Sequence, residues 1–242
     1  MSLLNVPRVR AIARQLGVAA SAGAMVRKLG GSSLIYNSRY ELRFSRELLQ
    51  SVCPGDCVWD IGANVGYFTR QLAERVTSSG RVIAFEPFQS SFDRLRSETR
   101  GFPQVHCLRL ALGANECDIS VGSVPESPSN NLFQKPESGM GESVHVTTGD
   151  KLLEDGQPPP NVMKIDVEGF EEEVLWGFRE KLRDSCCSTI LMEIHYRIAE
   201  ERGFVRTPTR IQSLLRDIGF RVHWVDASHL KAFRPRKNGL AA

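Results

Sequence analysis

No stretch of this sequence sustains the roughly 20 apolar residues that a membrane-spanning helix needs, so no integral membrane segment is expected. The Ala-rich stretch 11–26 is interrupted by Arg14 and Gln15 and forms no apolar signal-peptide core, which points to a cytoplasmic chain. The six cysteines, Cys53, Cys57, Cys107, Cys117, Cys186 and Cys187, lack the Cys-x-x-Cys pairs of a structural zinc site and read as reduced, packing thiols. A Gly-x-Gly-x-x-Gly turn is missing, as is the Gly-x4-Gly-Lys-Ser/Thr loop of triphosphate binding. The first thirty residues contain no acid but carry Arg8, Arg10, Arg14, Arg27 and Lys28, and Lys231, Arg234, Arg236 and Lys237 make a second basic end. Removing those nine from the 31 basic residues leaves the 28 acidic ones in excess, so the body is no polyanion surface and no nucleic-acid partner is expected. The basic ends read first as solvated, and second as a weak contact to an anionic membrane or glycolipid surface.

What is present is ordinary globular material, 242 residues with 41% hydrophobic and 24% charged. From Cys57 onward apolar runs alternate with helix-period segments, as in a parallel sheet covered by helices. The runs are 57–61, 81–85, 105–110, 162–166 and 189–195. Between them fall helices marked by Phe68, Leu72 and Val76, by Phe92 and Leu95, by Val174, Leu175, Phe178 and Leu182, and by Ile211, Leu214 and Leu215. Thr207 and Pro208 suit the cap and first turn of the last one. Residues 220–225 and 232–233 suggest a closing antiparallel pair. This gives an α/β Rossmann-like domain over 51–242, with residues 1–50 as a helical N-terminal extension. The Ser/Pro/Gly-rich stretch 122–143 reads as a mobile loop and an acceptor-side lid.

The most informative segment is Asp60-Ile-Gly-Ala-Asn-Val-Gly66, lying between a strand and a helix. Gly62 and Gly66 allow a tight turn and close approach to a ligand, and the helix that follows offers amides to a carboxylate. Glu86, followed by Pro87, ends the second strand, where a carboxylate can accept hydrogen bonds from both ribose hydroxyls. The turn reads Asp-x-Gly-x-x-x-Gly, a pattern that disfavours pyrophosphate and favours a cofactor with an amino-acid end.

In sequence order, VWDIGANVGYFTRQL, GRVIAFEPF, ALG, KIDVEGFEEEVLWG and ILMEIH resemble the successive signatures of FkbM-type methyltransferases. The resemblance runs from about Asp56 to His195 and departs at Thr148-Gly149-Asp150, where relatives usually have a Leu-Asp-Asp type sequence. It implies the class I methyltransferase fold with a mostly parallel seven-stranded sheet, S-adenosylmethionine as cofactor, and methylation of a hydroxyl on a sugar, glycolipid or secondary metabolite. It further implies that Asp60, Gly62, Ala63, Asn64 and Gly66 surround the methionine moiety. Glu86 and Pro87 would sit at the ribose, and Ala111 and Leu112 would flank the adenine.

Asp166, ending the fourth strand, faces the same cleft, with Glu168 near it, and Glu193 and His195 are co-facial on the fifth strand. An imidazole suits removal of a hydroxyl proton near neutrality, so His195 is expected as general base and Asp166 as a catalytic or cofactor-amine residue. A small-molecule or glycan acceptor is expected and no metal, although the carboxylates could hold Mg²⁺. A nicotinamide-dependent oxidoreductase and a non-catalytic cofactor-binding protein remain as alternatives. The other histidines, His106, His145, His223 and His229, are assigned structural or surface roles. Trp59, Trp176 and Trp224 are assigned to core or interface.

Overall fold

The computed structural model describes residues 39–122, 141–203 and 206–236. The expected lid lies almost wholly outside them, as do the N-terminal basic residues and Lys237. In chain order the elements are α1 (Arg39–Ser51), β1 (Cys57–Ile61), α2 (Tyr67–Val76), β2 (Arg81–Phe85), α3 (Gln89–Thr99), β3 (Val105–Leu108), β4 (Ala111–Leu112), β5 (Cys117–Gly122) and β6 (Gly141–Thr147). They continue with α4 (Gly149–Glu154), β7 (Val162–Ile165), α5 (Glu171–Trp176), α6 (Arg179–Asp184), β8 (Thr189–Glu193), α7 (Tyr196–Glu201), α8 (Thr207–Asp217), β9 (Arg221–Trp224) and β10 (His229–Phe233).

Seven strands form one sheet in the order β3-β2-β1-β7-β8-β10-β9, parallel from β3 to β8, with β10 antiparallel to both its neighbours. Its central strands β2, β1, β7 and β8 are mostly apolar because both faces are covered. Trp59, Ile61, Ile83, Phe85, Met163, Ile165, Ile190 and Met192 face a core shared with Val174, Leu175, Phe178, Leu182, Ile211 and Leu215. Val58, Val82, Val162 and Leu191 face the opposite one, packed by Phe44 and Leu48 of α1 and by Leu72, Ala73 and Val76 of α2. The helix α1, first among the described residues, therefore belongs to the covering layer of the sheet.

Several boundaries differ from the sequence reading. The third strand ends at Leu108, and Ala111–Leu112 pairs with β6 in a separate three-stranded sheet, β4-β6-β5. The helix expected across Val174 to Leu182 is two short ones. Gly177 separates them, and a Cβ there would lie 1.9 Å from the carbonyl oxygen of Gly113, so the chain must turn where the two backbones touch. Arg206, at φ 67°, caps α8, and Thr207 is already helical and buried. The C-terminal cations described are also not free in solvent. Arg234 donates to five carbonyls, those of Leu182, Arg183, Ser185, Cys187 and Ile218. Arg236 grips both oxygens of Asp56, and Lys231 pairs with Glu47.

Candidate active site

The strand order reverses between β1 and β7, and the carboxyl ends of strands at such a switch are where open α/β sheets form their ligand crevice. On one wall, Gly62 and Gly66 adopt φ of 80° and 90° and Asn64 one of 51°. A Cβ on Gly62 would lie 1.9 Å from the carbonyl oxygen of Asp166, so this glycine is required by the close approach of the neighbouring chain. The amides of Gly62 and Ala63 both donate to Phe85, which fixes the turn to β2. Glu86 is buried, and its two oxygens accept from the amides of Asn64 (2.9 Å) and Phe88 (3.0 Å). Burial pushes its carboxyl up to about 7 against those two hydrogen bonds. Pro87 is half-buried beside it.

Asp60 lies beneath the turn. Its carboxylate is fully buried, accepting from the Thr69 hydroxyl at 2.6 Å and lying 3.1 Å from the Lys164 ammonium. It shapes the turn from beneath. Ala63 packs with Ala84 and Leu95. Ala111 packs with Phe88, Val144 and Val146, and the Leu112 side chain enters the main core, so both face protein.

The other wall is ionic. Lys164, only 2% exposed, donates to the carbonyl of Gly62 at 2.7 Å and sits 3.6 Å from Asp166 Oδ2. Asp166 Oδ1 lies 3.7 Å from His195 Nε2, and Glu168 Oε2 lies 3.4 Å from the same nitrogen. The strand β8 ends at Glu193, two residues short of the expected end, and His195 stands at the N-cap of α7. Even so, one ligand atom each of Asp166, Glu193 and His195 lie within 4.8 Å of one another. The His195 Nδ1 is 2.7 Å from Oε1 of Glu171, which is fully buried and also accepts from the amide of Gly169.

These charges reshape one another. Burial works to lower the His195 pKa but is outweighed by the hydrogen bond and charge of Glu171, with Glu168 and Glu193, and the net shift is well upward. Burial, then the carboxylates of Glu193 and Glu171, raise Asp166 against the opposing pull of Lys164 and His195. Glu168 rises to about 7, chiefly through burial.

Residues 60–222 match the Methyltransferase FkbM domain. The chain belongs to the FkbM methyltransferase family. It is 34% identical over 163 residues to the hexuronic acid methyltransferase AglP of Haloferax volcanii, a match covering 66% of this chain and 65% of that protein, just under two thirds of the relative's length. Its fold is shared with Aeropyrum pernix fibrillarin, solved with natively bound S-adenosyl-L-methionine (TM-score 0.50, 12% identity, 80% of this chain and 73% of that one). A Streptococcus mutans protein in complex with SAH is also similar (TM-score 0.51, 9% identity, 82% and 99%). In this FkbM chain the sequence reading did not single out Lys164 or Glu171, which the structure brings to the site. Both sit inside the motif KIDVEGFEE, where Glu171 reads as one of three acids favoured by the first turn of a helix.

Proposed function

We propose that this chain is an S-adenosylmethionine-dependent methyltransferase acting on a hydroxyl of a sugar acceptor, with His195 as general base. The observation that carries the reading is the Glu171–His195 pair at the strand ends beside the glycine turn: the buried carboxylate takes Nδ1–H and directs Nε2 toward Asp166 and Glu168. The relationship to a hexuronic acid methyltransferase supports a sugar acceptor.

Residues of both walls fit the cofactor. Glu86 stands at the end of β2 with a carboxylate that can accept from ribose hydroxyls, and the carboxylate-rich wall suits a cationic ligand. When bound, S-adenosylmethionine supplies an electrophilic methyl group on a sulfonium. Asp166, between Lys164 and His195, is placed to orient its amine end. Neutral His195 takes the hydroxyl proton at Nε2 while Glu171 holds the imidazole in the required tautomer and then stabilises the imidazolium. Carboxylates raise the proton affinity of His195, and a cation entering the cleft opposes them, favouring the neutral base.

The test is calorimetry with S-adenosylhomocysteine and NAD, followed by transfer of labelled methyl from S-adenosylmethionine to a panel of uronic acids and neutral sugars, with and without EDTA. Micromolar binding of S-adenosylhomocysteine and chelator-insensitive transfer are expected. Binding of NADH alone would move the chain to the oxidoreductases. Loss with EDTA and recovery with Mg²⁺ would make Asp166, Glu193 and His195 metal ligands and remove His195 as base.

A further inference from the structure

His229 lies directly opposite Glu193 in the antiparallel register of β8 and β10. Its side chain is 2% exposed and nevertheless faces carboxylates at both nitrogens. Nδ1 is 3.0 and 2.9 Å from the two oxygens of Asp226, and Nε2 is 3.5 Å from Glu193 Oε2. The turn before β10 is wound around this arrangement, because Asp226 Oδ1 also accepts from the amides of Ser228 and His229, each at 3.1 Å. Burial opposes charge on the ring, but the hydrogen bonds and charges of Asp226 and Glu193 outweigh it and raise its pKa to about 9. Phe44 of α1 covers the ring, with centroids 4.4 Å apart and planes at 30°, and the Glu47–Lys231 pair at 2.8 Å ties the same helix to the same strand.

An imidazole whose proton is favoured by two carboxylates therefore stands against Glu193, whose carboxylate in turn reaches the cluster containing Asp166 and His195. That cluster is crowded with like charge: Asp166 from the end of β7, Glu168 from the loop after it, Glu171 from α5 and Glu193 from β8 all act on His195 or Asp166. Like-charged carboxylates separate or take up protons unless a cation holds them. Fixing one of them needs a counter-charge whose own position is fixed. His229 has this property, since Asp226 and Phe44 hold it from two further sides.

We propose that His229 is a positioning residue that acts through Glu193, holding that carboxylate against Asp166 and His195, with Phe44 of α1 closing the pocket around it. This inference rests on His195 being the base of the proposed reaction. The helix α1, a simple cover by its packing, thereby reaches the catalytic cluster through one aromatic contact.

The test is an NMR titration of the His195 and His229 rings in the full chain saturated with S-adenosylhomocysteine, for wild type, Glu193→Gln, His229→Gln and the double variant. Glu193→Gln should move the His229 transition down from about 9. His229→Gln should move the His195 transition in the wild-type background and leave it in place in the Glu193→Gln background. Equal shifts in both backgrounds, or none in either, would overturn the proposal. With an acceptor in hand, the two single variants and the double should lose turnover alike, about tenfold, with unchanged cofactor affinity, whereas a purely structural role would make the losses multiply. Should His229→Gln fail to fold, Glu193→Gln alone decides, because an unmoved His229 transition rejects the pairing. The titration uses no acceptor and no turnover, so a chain that methylates no sugar sinks the proposed reaction without touching this result.

Discussion

On the β1–β2 wall of the crevice, the chain holds its shape through backbone: amides of Gly62 and Ala63 on Phe85, and amides of Asn64 and Phe88 on Glu86. On the β7–β8 wall it does so through side-chain charge drawn from separate segments, Lys164, Asp166, Glu168, Glu171, Glu193 and His195. In the proposed reaction the first wall is the one that receives the cofactor's hydroxyls. In the second, burial and neighbouring charge displace the titration of Asp166, Glu168 and His195. The proposed function puts binding and proton transfer on different walls, and Lys164 is the tie between them, touching Gly62 and Asp60 on one side and Asp166 on the other.

Breaking that tie should have the largest effect. Lys164→Met leaves Asp60 fully buried without its cation, and removal of one partner of a buried pair costs about 3–5 kcal/mol, so chemical denaturation should show a loss of that size. A loss under about 1 kcal/mol would mean that the two walls hold independently. Glu86→Ala touches the binding wall alone. It should weaken S-adenosylhomocysteine by about 2–3 kcal/mol, through two charge-assisted hydrogen bonds, with turnover at saturating cofactor little changed. An unchanged dissociation constant would remove Glu86 as the ribose anchor.

The charged wall also makes stability depend on pH. Glu86 and Glu168 rise from 4.5 to about 7 on folding, so their contribution is complete below about 4.5 and lost as pH climbs through about 7. His195 and His229 both rise above 6.5; the contribution of His229 is lost as pH climbs from 6.5 through about 9, and that of His195 is lost as pH climbs above 6.5 through its raised value. Thermal melts should therefore show a higher Tm at pH 6 than at pH 9, and His229→Gln should flatten the upper part of that slope. A Tm that rises over this range would contradict the charge assignments. The smallest effect belongs outside both walls: Arg70→Ala breaks an exposed pair with Glu98 (3.1 Å, both side chains about half exposed) and should cost no more than about 0.5 kcal/mol by denaturant titration.

The same contrast explains what could be read from sequence. The strands and the glycine turn were legible because strands buried on both faces leave continuous apolar runs, and because φ near 80° at Gly62 demands glycine. The physical reason for Gly62 was not, since the atom a Cβ would strike belongs to Asp166, about a hundred residues on. Ala111 and Leu112 continue the third apolar run in sequence while pairing with β6 in space, so periodicity could not separate them from β3. Glu171 hid among three consecutive acids, and its meaning appears only when α5 brings it to His195. His229 depends on pairing between β8 and β10, and the one local signal was Asp226 three residues earlier, the spacing that lets its carboxylate reach the imidazole.

The division of labour is tested most directly in His195→Ala, by measuring the rate of labelled methyl transfer to a uronic acid or sugar acceptor against pH beside wild type, with S-adenosylhomocysteine affinity determined on the same samples. Wild-type rate should rise with pH through an imidazole transition displaced above 6.5. In the variant that transition should vanish and turnover fall by roughly 10² to 10⁴, with affinity nearly intact. Wild-type turnover in His195→Ala, or a loss of affinity that accounts for the whole loss of rate, would contradict the assignment of proton transfer to this wall.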